Sequence, residues 1–270
     1  MPLLETIKTR LFQIPLVRRS VFAHRYRRGW RSSGLERQDL AAAYLSGRGL
    51  EIGGLQFPLP LPKGARATYV DRMPVNELRA QYPELREHPL VPVSIVDDGE
   101  TLRTIADASQ DFVVACQFLE HCKNPIRAIE NFLRVVREGG TLYLAIPNRD
   151  HTFDKSRPTT PLTHLWGDYE ERPEWTQERH FQEYSRGMSA VYHPGRSEAE
   201  ILEDAVRLLA EDYSIHYHVW DMESWTGFIS SVRERFGFRI ECVLRHSEEI
   251  ITILSKTKAG SAAGSTNDVE

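Results

Sequence analysis

DFVVACQFLEHCKNPIRAIENFLRVVREGGTLYLAIPN, residues 111–148, carries a strand, a helix and a second strand in succession. DFVVACQ (111–117) is an apolar run of strand length. Asn124 is placed to cap the helix that follows, and Pro125 suits its first turn, where a missing N–H costs nothing. Ile126, Ile129, Phe132, Leu133 and Val136 recur on one helical face, and Gly139-Gly140 is expected to end the helix. TLYLAIP (141–147) is the second strand. Two strands joined by a crossover of this length pair in parallel, through a right-handed connection.

The alternation extends in both directions. Upstream lie GLEIGG (49–54), closed by glycines, ATYVD (67–71), ending on an acid, and VPVSIVDD (91–98). With 111–117 and 141–147 they make five strands of an open α/β sheet, whose ligand belongs beyond the strands' carboxyl ends. Downstream, Trp225, Phe228, Ile229, Val232 and Phe236 mark an amphipathic helix stopped by Gly237. FRIECVL (238–244) and EIITILS (249–255) then form an antiparallel hairpin. The expected fold is a doubly wound, mostly parallel, seven-stranded α/β sheet.

Residues 148–220 interrupt this pattern. They are rich in His, Asp, Arg, Pro and aromatics and show one obvious helix, started by a Ser197/Glu200 capping box and lined by Ile201, Leu202, Ala205, Leu208 and Leu209. A structureless loop of that length is unusual, so the segment is read as a lid or substrate insertion after strand five. The opening residues set Leu4, Ile7, Leu11 and Ile14 at helical spacing among Lys8, Arg10, Arg18, Arg19, Arg25, Arg27, Arg28 and Arg31. They read as a helical arm with its arginines on the wet face; a surface for membrane lipid or an acidic partner is the alternative. A second helix over 35–46 stops at Gly47. The chain thus divides into an arm (1–46), a core (47–147), the insertion (148–220), a returning helix and hairpin (221–256) and a small, polar, disordered tail (257–270).

A net charge of −4 over 270 residues lacks the basic footprint of a nucleic-acid binder. The apolar runs are strand-sized, too short to span a bilayer, and the N-terminus lacks a secretion signal, so a cytoplasmic chain is expected. Cys116, Cys122 and Cys242 show no metal-type spacing, and their odd number argues for reduced thiols.

LEIGG (50–54), YVDR (69–72), VDDGETL (96–102), DFVVACQFLEHCKNP (111–125) and EGGTLYLAIPN (138–148) resemble, in order and spacing, the successive motifs of class I S-adenosylmethionine-dependent methyltransferases with a Rossmann-like sheet. The resemblance implies S-adenosyl-L-methionine as cofactor and assigns it a pocket. Gly53 and Gly54 let backbone approach the amino-acid moiety without a Cβ in the way. Glu51 organises that loop near the ammonium end. Asp71 accepts from both ribose hydroxyls, as strand-two acids do in dinucleotide folds. Asp98 accepts from the adenine amine, with Asp97 its competitor, and Gln117 lies beneath the sulfonium. One departure stands out: the glycine usual two positions after Gly53 is Leu55, followed by a proline-rich loop, QFPLPLP (56–62), which either holds the cofactor differently or marks the loss of its binding.

For the acceptor side, NRDHTFDKSRPTTPLTHLWGDY (148–169) leaves the sheet where ligands bind and resembles a stretch of methyltransferase-like proteins from bacterial sugar and glycan pathways. That resemblance implies O-methylation of a sugar or glycan hydroxyl, on a small molecule or an oligosaccharide. A hydroxyl nucleophile calls for a base or a metal that lowers its pKa. His121 is the first candidate base, with His151 and Asp154 as a second base and orienting acid. Arg157, His164, His180 and Tyr184 are candidate acceptor contacts, and Trp166, Tyr169, Trp175, Phe181 and Tyr184 either stack on sugar rings or form the insertion's own core. Asp150, Asp154 and Asp168 could hold Mg²⁺, which prefers oxygen ligands. His216 and His218 face one way on a strand and are read as surface or lid residues. Methylation of a non-sugar metabolite and a non-catalytic methyltransferase-like binding module remain alternatives.

Overall fold

A computed structural model describes residues 35–171 and 177–257. The basic arm before residue 35, Trp175 and the tail after residue 257 lie outside the described residues. The sheet has seven strands: β1 (Gly47–Ile52), β2 (Ala65–Asp71), β3 (Ile95–Val96), β4 (Gln110–Cys116), β5 (Val136–Pro147), β6 (Phe238–His246) and β7 (Glu249–Lys256), in the order β3-β2-β1-β4-β5-β7-β6. The first five strands are parallel, and β7 runs antiparallel between β5 and β6. This is the doubly wound architecture expected, with the C-terminal hairpin in place.

Alternate residues of each strand face opposite layers. Leu50, Ile52, Val113, Ala115, Leu142, Leu144, Ile250 and Leu254 share one apolar layer with α3 (Pro125–Val135) and α7 (Met222–Phe236). Phe112, Val114, Tyr143, Ala145, Ile251 and Ile253 form the other, packed against Leu40 and Ala41 of α1 (Arg37–Tyr44) and against Leu59. Asn124 caps α3 by accepting from the Arg127 N–H. Gly237, left-handed at φ 62°, ends α7. Gly139-Gly140 does not end α3, however. The helix stops at Val135, and Gly139 (φ +71°) instead sits in an irregularity of β5, where the register jumps from Gln110↔Val136 to Phe112↔Thr141.

The first crossover is unusual for this architecture, because residues 53–64, between β1 and β2, contain no helix. Pro58, Pro60 and Pro62 supply no N–H and force extended conformations on their neighbours, so the segment cannot coil. It lies across the sheet as an extended loop, with Leu59 buried and its N–H donated to Glu51 Oε1 at 2.7 Å. A short helix, α2 (Val75–Gln81), follows β2.

Among its described residues the insertion holds three α-helices rather than one: α4 (Leu162–Glu171), α5 (Gln177–Tyr192) and α6 (Glu198–Ala210), followed by an extended stretch over 213–220. Only α6 carries a strong local signal, its Ser197/Glu200 capping box. Leu165 is buried in the main core, Trp166 donates to Ser231 Oγ of α7 at 2.9 Å, and Tyr169 packs edge-on to Phe236. The small separate core of the insertion is Phe181, Ala205, Leu208, Ile215 and Tyr217.

Candidate active site

The carboxyl ends of β1, β2 and β4 converge under the extended stretch that closes the insertion. Gly53 follows β1 in the left-handed region (φ +64°), which favours glycine. Glu51 is buried; burial pushes its carboxyl pKa up to about 7, and one oxygen binds the proline-rich loop while the other has no hydrogen-bond partner. Asp71 ends β2 half-buried, its pKa raised by burial, and accepts from the Arg72 N–H at 2.8 Å. Beside it is a crevice too narrow for a water molecule, lined by Gly54, Leu55, Leu78, Leu90 and Val91. Leu55 O accepts from the Val91 N–H at 2.9 Å, which draws the two walls together.

The turn after β3 separates the two candidate acids. Asp97 Oδ2 accepts from both the N–H and the hydroxyl of Thr104, at 2.8 and 2.6 Å, so it is spent on the turn. Asp98 is exposed, and its side-chain Oδ1 accepts from the Glu100 N–H at 2.9 Å. Gly99, which follows them, is buried. A Cβ there would come within 2.5 Å of the Phe118 ring and 2.7 Å of Ile52 Cγ2, so glycine is required for packing. Glu100 accepts from the N–H groups of Lys123 and Asn124 at 2.6 and 3.0 Å and so anchors the loop after β4.

The loop after β4 is pinned by the insertion. The Glu120 carbonyl accepts from the Tyr217 N–H at 2.7 Å, and the Ile215 carbonyl lies 2.9 Å from His121 Nδ1. That contact makes Nδ1 the protonated nitrogen and leaves the lone pair on Nε2. Burial, then the neighbouring His216, lowers the His121 pKa to about 3. The His216 ring meets His121 edge-on at 4.7 Å between centroids. His216 Nδ1 lies 2.6 Å from Asp154 Oδ2, and Asp154 Oδ1 accepts from Arg157 at 2.7 Å. Burial would raise the Asp154 pKa, but the hydrogen bond and charge of His216 and the charge of Arg157 outweigh it and hold it below the ordinary value. Glu120 is fully buried with neither carboxylate oxygen hydrogen-bonded, and burial pushes its pKa well above the usual carboxyl range.

Residues 49–144 match the family model described as a methyltransferase domain. The match covers 96 of the 270 residues. No curated protein matches the chain by sequence. Among solved structures, a SAM-dependent methyltransferase from Methanosarcina mazei is 16% identical with a TM-score of 0.44, over 83% of this chain and 99% of that one. One from Aquifex aeolicus is 11% identical with a TM-score of 0.40, over 80% and 85% of the two chains. The CurJ carbon methyltransferase is 14% identical with a TM-score of 0.41; the match covers 79% of this chain and spans 49% of that chain's length.

Gly53, Gly54, Glu51, Asp71 and Asp98 lie around the carboxyl ends of β1, β2 and β3. Gln117 stands apart from them: its side chain donates to Glu249 Oε2 at 3.2 Å, and Glu249 is also paired with Arg37 and His246. On the acceptor side several expectations need correction. His151 is exposed, and the acid read as its orienting partner, Asp154, is engaged by His216 and Arg157 instead. Arg157 is buried in that ion pair and is no surface contact for an acceptor. His216 and His218 are not surface residues; His218 is fully buried because the stretch carrying it is pressed onto the loop after β4. His164 and His180 meet each other, Asp168 and His218 in one cluster. The carboxylates proposed for Mg²⁺ are dispersed, because Asp154 pairs with His216, Asp168 joins the histidine cluster and Asp150 is exposed. Tyr184 lines an open cavity of about 700 Å³ with Glu84, His193, Arg196, Arg207 and Tyr213. No helix among the described residues is long and apolar enough to cross a membrane.

Glu120 and Gly99 complete the picture beyond the residues given roles from sequence, and His216 and His218, read there as surface or lid residues, join the buried network. Gly99 lay within the quoted motif at 96–102 and Glu120 within that at 111–125.

Proposed function

We propose that this chain transfers a methyl group from S-adenosylmethionine to a hydroxyl of a sugar or glycan acceptor, with His121 taking the proton. The observation that carries this reading is the contact of the insertion with the loop after β4, which sets the His121–His216–Asp154–Arg157 series beside the carboxyl ends of the strands. The cofactor supplies an electrophilic methyl on a sulfonium. Asp71 would hold the ribose, Asp98 the adenine amine, and Gly53 the backbone facing the amino-acid end. Leu55 and Val91 close the crevice beside Asp71, so admission of a nucleoside there requires their contact to open.

A neutral imidazole of low basicity does not ionise an alcohol outright. It accepts the proton late, as the new O–C bond forms and the hydroxyl becomes strongly acidic. Ser214 Oγ, 3.1 Å from His121 Nδ1, and the Ile215 carbonyl hold the ring in the tautomer this requires. The cavity lined by Tyr184, Tyr213, Arg196, Arg207 and Glu84 has the size of a small-ligand site and mixes aromatic faces with hydrogen-bonding groups, as a sugar demands. Residues 148–220 would then act as the lid over that acceptor.

Two measurements test the proposal. Calorimetry with S-adenosylhomocysteine should give 1:1 binding; absence of binding points to a non-catalytic module. A panel of glycosides and phenols assayed for methyl transfer should show turnover with the glycosides, and turnover confined to phenols or carboxylates would overturn the sugar assignment.

A further inference from the structure

His164 and Asp168 lie one helical turn apart on α4 and therefore share a face. His180 comes from α5 and His218 from the extended stretch that follows α6. One ligating atom from each of the four lies within 4.8 Å of the others. His164 Nε2 is 3.2 Å from His180 Nε2 and 3.1 Å from Asp168 Oδ2, and His218 Nε2 is 3.8 Å from the same oxygen. We propose that His164, Asp168, His180 and His218 form a four-coordinate site for a divalent transition metal, with zinc the best fit.

The spacing carries the argument. A tetrahedron with metal–ligand bonds of 2.0–2.1 Å has edges of roughly 3.3–3.4 Å. Two of the three distances above fall just short of that edge, and the third needs a shift of a few tenths of an ångström. Three imidazole Nε2 atoms and one carboxylate oxygen so placed can aim four lone pairs at one shared cation, with His218 Nε2 turning from its 3.4 Å contact with the Lys123 carbonyl.

The donor set selects the ion. Three nitrogens and one oxygen in a tetrahedron suit zinc, whereas magnesium and calcium demand octahedral or larger shells of oxygen. Four protein ligands leave no open position, so the site is structural rather than hydrolytic. Asp168, His180 and His218 are buried, while the His164 side chain is 25% exposed, which leaves one side for entry of the metal.

The consequence lies in what the site joins. α4 is packed on the main core through Leu165 and Tyr169, whereas α5 and residues 215–217 belong to the insertion's own small core. The Asp168 carbonyl accepts from Asn124 Nδ2 at 2.9 Å, and His218 Nε2 sits 3.4 Å from the Lys123 carbonyl. A bound ion would thus clip the insertion to the sheet domain next to the loop bearing His121. The assignment rests on these four side chains and is independent of the acceptor.

The test uses the full chain, stripped with a chelator and then titrated with Zn²⁺ and, separately, with Co²⁺. One equivalent of Zn²⁺ should bind, raise the melting temperature and lower hydrogen exchange in α5 and 213–220. Co²⁺ should give the intense visible bands of a tetrahedral complex. His218→Ala and His180→Ala should abolish binding. His164→Ala, at the exposed ligand and least exposed to misfolding, should weaken it at least about 100-fold, more than loss of an outer-shell partner costs. His121→Ala, in the separate Glu120–His121–His216 group, should bind Zn²⁺ unchanged. Unaltered affinity in His164→Ala, loss of binding in His121→Ala, or a weak octahedral Co²⁺ spectrum would each overturn the site.

Discussion

Asp154→Ala probes the buried ion pair on which the proposed proton-handling series rests. The Asp154 and Arg157 side chains are 2% and 5% exposed, and the carboxylate is shared between Arg157 at 2.7 Å and His216 at 2.6 Å. Truncation leaves the guanidinium buried with the Tyr217 carbonyl, at 3.4 Å, as a weak remaining acceptor, and removes the partner that orients His216. Breaking one side of such a pair costs about 3–5 kcal/mol, most of it the penalty of a stranded charge. Unfolding entropy of about 2.1 cal/mol/K per residue, over this length, amounts to ~0.6 kcal/mol/K, so the melting temperature should fall by about 5–9 °C. Asp154→Ala combined with Arg157→Met should recover part of that loss, because no charge is then left behind. The pH dependence has a definite sign. The folded pKa of Asp154 lies below its ordinary value of 3.8, so its contribution is fully present above that value and disappears as pH falls through the lower, folded pKa. The assay is calorimetric melting from pH 7 down to pH 3, alongside methyl-transfer turnover at saturating cofactor. A single variant within about 1 kcal/mol of the native protein, or a double variant no better than the single, would refute the stranded-charge reasoning.

Asp71→Ala should weaken S-adenosylhomocysteine binding by about 10- to 150-fold, the equivalent of about 1.5–3 kcal/mol for a lost charge-assisted hydrogen bond, and an unchanged dissociation constant would remove the ribose assignment. Gly99→Ala should cost about 1–3 kcal/mol by forcing Phe118 off Ile52, whereas Gly227→Ala, exposed inside α7 with nothing near its Cβ, should stabilise by about 0.5–1 kcal/mol; thermal melts compare the two. His121→Ala should lower turnover by roughly 10²–10⁴-fold with cofactor affinity kept. Because burial and His216 hold the native ring neutral down to about pH 3, turnover should show no histidine step between pH 6 and 8, and a rate that climbs through pH 6–7 would assign the proton to another group.

Hydrophobic period and punctuation were enough to read the sheet. β4, α3 and the final helix and hairpin appear at their predicted places because their apolar residues face one dry layer and their caps, Asn124 and Gly237, act through neighbouring backbone alone. The proline-rich departure after Gly53 was equally legible, since proline excludes a helix whatever surrounds it. Two helices of the insertion escaped the same reasoning. α4 and α5 bury His180, Asp168 and Ser185 beside a few apolar residues, so the period that marks a helix is broken by polar groups. Whether such a group is buried depends on the partner brought to it, and that partner comes from elsewhere in the chain. Asp154 finds His216 62 residues away, and His121 finds Ile215 94 residues away. The sequence alone determined which residues could do chemistry at the strand ends; only the tertiary structure decided which imidazole meets which carboxylate, because electrostatic pairing in a dry interior is set by distance in space and leaves no local trace in the chain.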